Sequence, residues 1–178
     1  EGAGIMVLEE WDMALERGAT ILAEILGGAS TADAHHITAP SPGGVGAITC
    51  MRLALEEAGI DPEQVRHINA HGTSTPLNDM AEALAMAEVF GPEGPLVTST
   101  KGITGHALGA AGAIEAVAVV LAMRKGLIPP TAGYATPDPE MPPIHLVSGS
   151  PAQWEPGVSM SNSFGFGGHN GSLVIAPA

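Results

Sequence analysis

Val65-Arg66-His67-Ile68-Asn69-Ala70-His71-Gly72-Thr73-Ser74-Thr75-Pro76 decides how the chain folds. Residues 65–70 predict a brief strand that delivers His71 at its end. A helix follows. Thr75 or Asn78 is placed to cap it, Met80, Leu84, Ala87 and Phe90 recur at helical spacing, and Gly91-Pro92 stops it. A strand that ends on a histidine and turns through small polar residues into a helix is one unit of an α/β fold.

The same unit comes again immediately. Residues 96–100 predict a strand that delivers Lys101, and after the turn Gly102-Ile103-Thr104-Gly105-His106 a long helix runs over 108–125. Arg124 and Lys125 suit the negative end of its dipole, and Gly126 ends it. Upstream, 5–8 predicts a short buried strand, 11–17 a helix closed by Gly18, 20–26 a strand before Gly27-Gly28, 30–46 a loop, and 47–58 a helix closed by Gly59. Downstream, 144–148, 158–161 and 172–176 are candidate strands, the last two antiparallel neighbours across a glycine-rich turn. The alternation predicts a mainly parallel sheet covered on both faces, with function on the loops that leave the strand ends.

Composition bounds the rest. The chain has 178 residues, 45% of them apolar, enough for one packed domain. Its 24 glycines and 15 prolines are interleaved with periodic apolar segments, so they mark turns and close approaches rather than a disordered tract. A formal charge of -13 opposes attraction to nucleic acid or to anionic lipid, and neither is an expected partner. The most apolar stretch, 107–123, is short for a bilayer and is interrupted by Glu115, which favours a core helix over a membrane span. The single cysteine, Cys50, excludes an internal disulfide and fits a reducing compartment, with cytoplasm the expectation. Cys50 lies on the apolar side of the 47–58 helix and reads as a buried structural thiol. The opening Glu1-Gly2-Ala3-Gly4, without methionine, reads as internal to a longer protein.

Two imidazoles at neighbouring strand exits, His71 and His106, can converge on one small group, although a histidine before Gly72-Thr73-Ser74-Thr75 can equally serve as a helix cap. Lys101 and Glu115 are ionisable groups among apolar or small residues and need partners; Lys101 can pair with Glu115 or with Glu82. The block Asn162-Ser163-Phe164-Gly165-Phe166-Gly167-Gly168-His169-Asn170-Gly171 sets two aromatics on a flexible turn, which suits a gate over a pocket and equally a tight hairpin. The chain lacks a full dinucleotide fingerprint, a P-loop and a Gly-x-Ser-x-Gly elbow. His35-His36 and the His67, His71 spacing have no carboxylate or cysteine companions of metal-site pattern.

Together, residues 69–76, 100–115 and 162–170 resemble the β-ketoacyl-[acyl-carrier-protein] synthases, most of all the elongating condensing enzymes of fatty-acid synthesis. The resemblance implies the C-terminal half of a thiolase fold, with a mixed, mainly parallel five-stranded sheet. Residues 1–18 would be the tail of the N-terminal half and 19–178 the C-terminal domain. It assigns His71 and His106 the two histidine positions of a Cys-His-His triad, with Lys101 and Glu115 as supporting charges. Thr73 and Thr75 would line the pantetheine channel, Phe166 would gate it beside Phe164, and Thr38 would border its mouth. The nucleophilic cysteine would belong to the other half, so this chain alone would not take up an acyl group. Acyl carrier protein is the implied partner, a homodimer the implied state of the whole enzyme, and no cofactor or metal is implied. His169 fills a variable place in the glycine-rich block and reads as structural. The two other readings are a non-catalytic partner subunit that shapes a synthase pocket and a module that binds acyl thioesters without turnover.

Overall fold

The computed structural model describes all residues from Glu1 to Ala178. In chain order its elements are α1 (Trp11–Glu16), β1 (Ala23–Ala32), α2 (Val45–Ala58), β2 (Val65–Asn69), α3 (Pro76–Phe90), β3 (Leu96–Thr98), α4 (Lys101–Thr104), α5 (Ala111–Lys125), β4 (Leu127–Ile128), β5 (His145–Leu146), β6 (Ala152–Gln153), β7 (Val158–Gly165) and β8 (His169–Pro177). Six strands make one sheet in the order β1-β8-β7-β2-β3-β5, and β4 pairs with β6 in a separate ribbon. The pairs β1/β8 and β8/β7 are antiparallel, whereas β7/β2, β2/β3 and β3/β5 are parallel. The parallel pair β2/β3 is joined through α3, because a parallel connection needs a long crossover.

Helices cover both faces, as strand alternation requires. Val174 and Ile175 are neighbours on β8 and point to opposite sides. Val174 joins Met51, Ala54, Leu55, Ala85 and Met86 in the core under α2 and α3, and Ile175 joins Ala116, Val119 and Met123 of α5. Burying a side chain the size of Met51 or Ile68 contributes about 1.5–3 kcal/mol. Cys50 is buried and its Sγ lies 3.4 Å from the Ala29 carbonyl, as expected of a structural thiol.

Several elements differ from expectation for physical reasons. Residues 5–8 form no strand: Ile5, Val7 and Leu8 are exposed, and the segment pairs with no strand of the sheet. The strand expected over 20–26 runs instead from Ala23 through Gly27-Gly28 to Ala32. Those glycines are close approaches rather than breaks: a Cβ on Gly27 would sit 2.6 Å from Ala58 N, and one on Gly28 2.9 Å from Leu173 Cδ2. The main sheet has six strands rather than five. The loop expected over 30–46 is shorter, because β1 continues to Ala32 and α2 already starts at Val45. In α3 the buried face is Glu82, Ala83, Ala85 and Met86, while Leu84 is exposed; the packing of an acid overrode the apolar spacing. The strand at 96–100 stops at Thr98, an extra helical turn occupies Lys101–Thr104, and α5 starts at Ala111 after a 3-10 turn over Leu108–Ala110. The strand at 144–148 shortens to His145–Leu146, and the terminal hairpin lengthens, β7 and β8 pairing from Ser159/Ile175 to Gly165/His169. No helix is long and apolar enough to cross a membrane.

Candidate active site

The exits of β2 and β3 lie side by side, because these strands are parallel neighbours and Ala70 N–H continues their pairing by donating to the Thr98 carbonyl at 2.8 Å. One exit carries His71 and the other carries Lys101 and His106. Their imidazole centroids lie 5.4 Å apart in an edge-to-face arrangement, and the Phe164 ring stands 6.1 Å from His71, also edge-on. His71 is buried and its Nδ1 has no hydrogen-bond partner, whereas His106 is exposed.

The backbone N–H of Leu108 donates to His106 Nδ1 at 3.2 Å. A neutral ring that accepts at Nδ1 carries its proton on Nε2. His106 is thereby set as an Nε2–H donor. Burial first, then the charges of Lys101 and His106, hold the His71 imidazole down to about 3, so it is neutral at pH 7. His106 is also lowered, by loss of solvent around the ring and then by Lys101.

Of the two acids considered for Lys101, the ammonium pairs with Glu115, and both side chains are buried. Burial pushes the Glu115 carboxyl up, while the hydrogen bond from Lys101 pulls it down. Glu82 takes a different part. Its two carboxylate oxygens accept the backbone N–H groups of His71 at 2.8 Å and Gly72 at 2.9 Å. Burial raises the Glu82 carboxyl, and the two backbone bonds and Lys101 oppose that rise.

The remaining expected residues are less buried than His71. Thr73 and Thr75 share a hydroxyl–hydroxyl bond of 2.9 Å beyond His71. Phe166 is 77% exposed, on a turn where Gly167 and Gly168 have φ of +83° and +76°. Thr38 is exposed too, and the neighbouring Ile37 carbonyl accepts from Gly167 N–H at 2.6 Å, joining the loop of Thr38 to the turn of Phe166. Asn170 Nδ2 donates to Asp33 Oδ1 at 2.7 Å and Ser41 N–H to Asp33 Oδ2 at 2.8 Å, so Asp33 ties that loop to the hairpin. His169 is exposed beside the same turn. His67 is engaged elsewhere: its Nδ1 lies 3.2 Å from Ser159 Oγ and its ring meets Trp154 at 5.5 Å.

Sequence reasoning missed the structural roles of Asp33 and Glu82. The signal for Glu82 was present, since it shares a helical face with Ala83 and Met86. It missed strain as well: the three non-glycine residues with positive φ are Ala34, Ser74 and Leu108, at 50°, 62° and 50°, the last two on the loops that carry His71 and His106.

Neutral imidazoles at adjacent strand exits, backed by a buried Lys–Glu pair, form an arrangement whose ring N–H groups can donate to an anionic oxygen. Residues 22–135 match the family described as beta-ketoacyl synthase, C-terminal domain, and the chain belongs to that family. It is 49% identical over 178 residues to 3-oxoacyl-[acyl-carrier-protein] synthase II, chloroplastic, of Arabidopsis thaliana, covering 99% of this chain and 33% of the relative. It is 49% identical over 177 residues to 3-oxoacyl-[acyl-carrier-protein] synthase 2 of Synechocystis, covering 98% of this chain and 42% of the relative. The structure of a beta-ketoacyl synthase from Burkholderia phymatum superposes with a TM-score of 0.92 at 38% identity, covering 96% of this chain and 41% of that one. The chain thus spans less than half the length of these relatives.

Proposed function

We propose that this chain is the C-terminal portion of a 3-oxoacyl-[acyl-carrier-protein] synthase and supplies the decarboxylating side of its active site. The 5.4 Å edge-to-face pairing of His71 and His106 carries the reading. In a malonyl thioester, the bond to the free carboxylate breaks, carbon dioxide leaves, and the electron pair moves onto the thioester oxygen as an enolate. Two imidazole N–H groups aimed at that oxygen stabilise charge that appears only as the bond breaks, which is where catalysis acts. The carbanion then attacks an acyl thioester held on a cysteine in the N-terminal half, and the cysteine thiolate leaves.

In this reading Lys101 keeps both rings neutral and Glu115 neutralises Lys101. Thr73 and Thr75 face the pantetheine arm, and Phe164 and Phe166 with Thr38 border its entry. Residues 1–18 belong with the N-terminal half and 19–178 form the C-terminal domain. The exposed Ile5, Val7 and Leu8 support this, because an apolar segment without a strand partner is suited to pair with another part of the protein. The partner is an acyl carrier protein, the whole enzyme is a homodimer, and it works in a reducing compartment such as the cytoplasm, where the free thiol of Cys50 persists.

The test joins this chain to the N-terminal part that its relatives carry and measures 3-oxoacyl product from malonyl and acyl carrier protein. Loss of product in both His71→Ala and His106→Ala supports the reading; undiminished product in both rejects it.

A further inference from the structure

Gly72, the residue after His71, is gripped from both sides. Its N–H goes to Glu82, and its carbonyl accepts the hydroxyl of Ser99 at 2.9 Å. Ser99 is buried at the exit of the neighbouring strand, two residues before Lys101. Gly72 has φ of +41°, and a Cβ there would lie 2.6 Å from both Cβ and Oγ of Ser99, so the serine fills the hollow left by the missing side chain. Ser99 is itself fixed from behind: its N–H donates to Thr131 Oγ1 at 3.1 Å, and Thr131 N–H donates to the Val147 carbonyl at 2.8 Å.

We propose that Ser99 is a positioning residue of the two-histidine site, its hydroxyl setting the spacing between the His71 exit and the Lys101–His106 exit. The inference rests on the condensing reading above. The geometry gives the reason. Two loops leaving separate strands have no covalent connection at the site, and one buried hydroxyl spans them. Without it the half-buried Gly72 carbonyl loses its partner, and the Gly72–Thr73 peptide is free to turn toward another donor. His71 is one residue away from that peptide on one side and Thr73 adjoins it on the other, so a shift moves an imidazole relative to its partner. Small misplacements of this kind can cost a large part of a rate without weakening binding.

The test uses the joined protein and three variants. Ser99→Ala is expected to lower kcat for carbon dioxide release from malonyl carrier protein by about tenfold or more with KM within about threefold, a split that general loosening does not produce. Ser99→Thr, which keeps the hydroxyl, is expected to recover most of kcat. Thr131→Val removes the support behind Ser99 without touching Gly72, gives a smaller loss, and serves if Ser99→Ala does not fold. Unchanged kcat in Ser99→Ala, or equal losses in Ala and Thr, would overturn the proposal. If the parent protein releases no carbon dioxide, the condensing reading fails. Ser99 is then judged by the nuclear Overhauser contact between the His71 and His106 rings in this chain: weakening in Ser99→Ala supports the role, and an unchanged contact rejects it.

Discussion

The carboxylate of Glu82 accepts the backbone N–H of His71 at 2.8 Å, so a helix on one face of the sheet holds in place a residue that ends a strand. Its second oxygen takes the N–H of Gly72 at 2.9 Å. Glu82→Ala would strand both donors, and each buried unpaired N–H costs about 1–3 kcal/mol. A loss of about 2–6 kcal/mol in urea unfolding is expected from the two together. Glu82→Gln is expected to lose less, since its amide oxygen still accepts one of the two.

Lys101 and Glu115 form a buried pair, and removing one partner leaves the other without compensation. Lys101→Met is therefore expected to lose about 3–5 kcal/mol, and the double variant Lys101→Met/Glu115→Leu to regain most of that loss. The same pair bears on the imidazoles. With the Lys101 charge gone, the His71 midpoint followed by NMR is expected to move up from about 3.

The α/β class, the parallel strands β2 and β3 and the convergence of His71 with His106 were legible in the sequence, because strand-histidine-glycine-helix units announce themselves locally. The edges were not. Residues 5–8 have strand composition but pair with no strand, and Gly27-Gly28 look like a break until the nearness of Ala58 and Leu173 is known. Glu82 escaped as a backbone clamp because its value depends on two N–H groups ten and eleven residues upstream. Ser99 escaped because its partner lies on another strand exit.

Acid should unfold this protein partly through its histidines. Burial holds His67 at about 4 and His71 at about 3, both below the ordinary 6.5. The unfolded chain therefore binds more protons than the folded one as pH falls below 6.5, and the stability these groups contribute at neutral pH is lost on the way down to their folded values. Each contributes a slope of about 1.4 kcal/mol per pH unit. Glu82 and Glu115, raised in the fold, act in the opposite sense as they protonate. Denaturation measured between about pH 4 and 6 should show His67→Gln with a slope shallower by about 1.4 kcal/mol per unit.

Leu108 holds a left-handed conformation at φ 50° while 78% exposed, and its N–H fixes the tautomer of His106. Relief of a left-handed residue is worth about 1–2 kcal/mol, and glycine gives back about half of it as chain entropy. Leu108→Gly is expected to be neutral or slightly stabilising in thermal unfolding, and Leu108→Val to lose about 1 kcal/mol.

The rate of carbon dioxide release from malonyl carrier protein, measured for the joined protein with and without His71→Ala, tests the enolate-stabilising pair directly. A fall of about a hundredfold or more is expected, the scale on which a preorganised oxyanion donor acts. A His71→Ala protein that releases carbon dioxide at the parent rate would contradict the role assigned to both imidazoles.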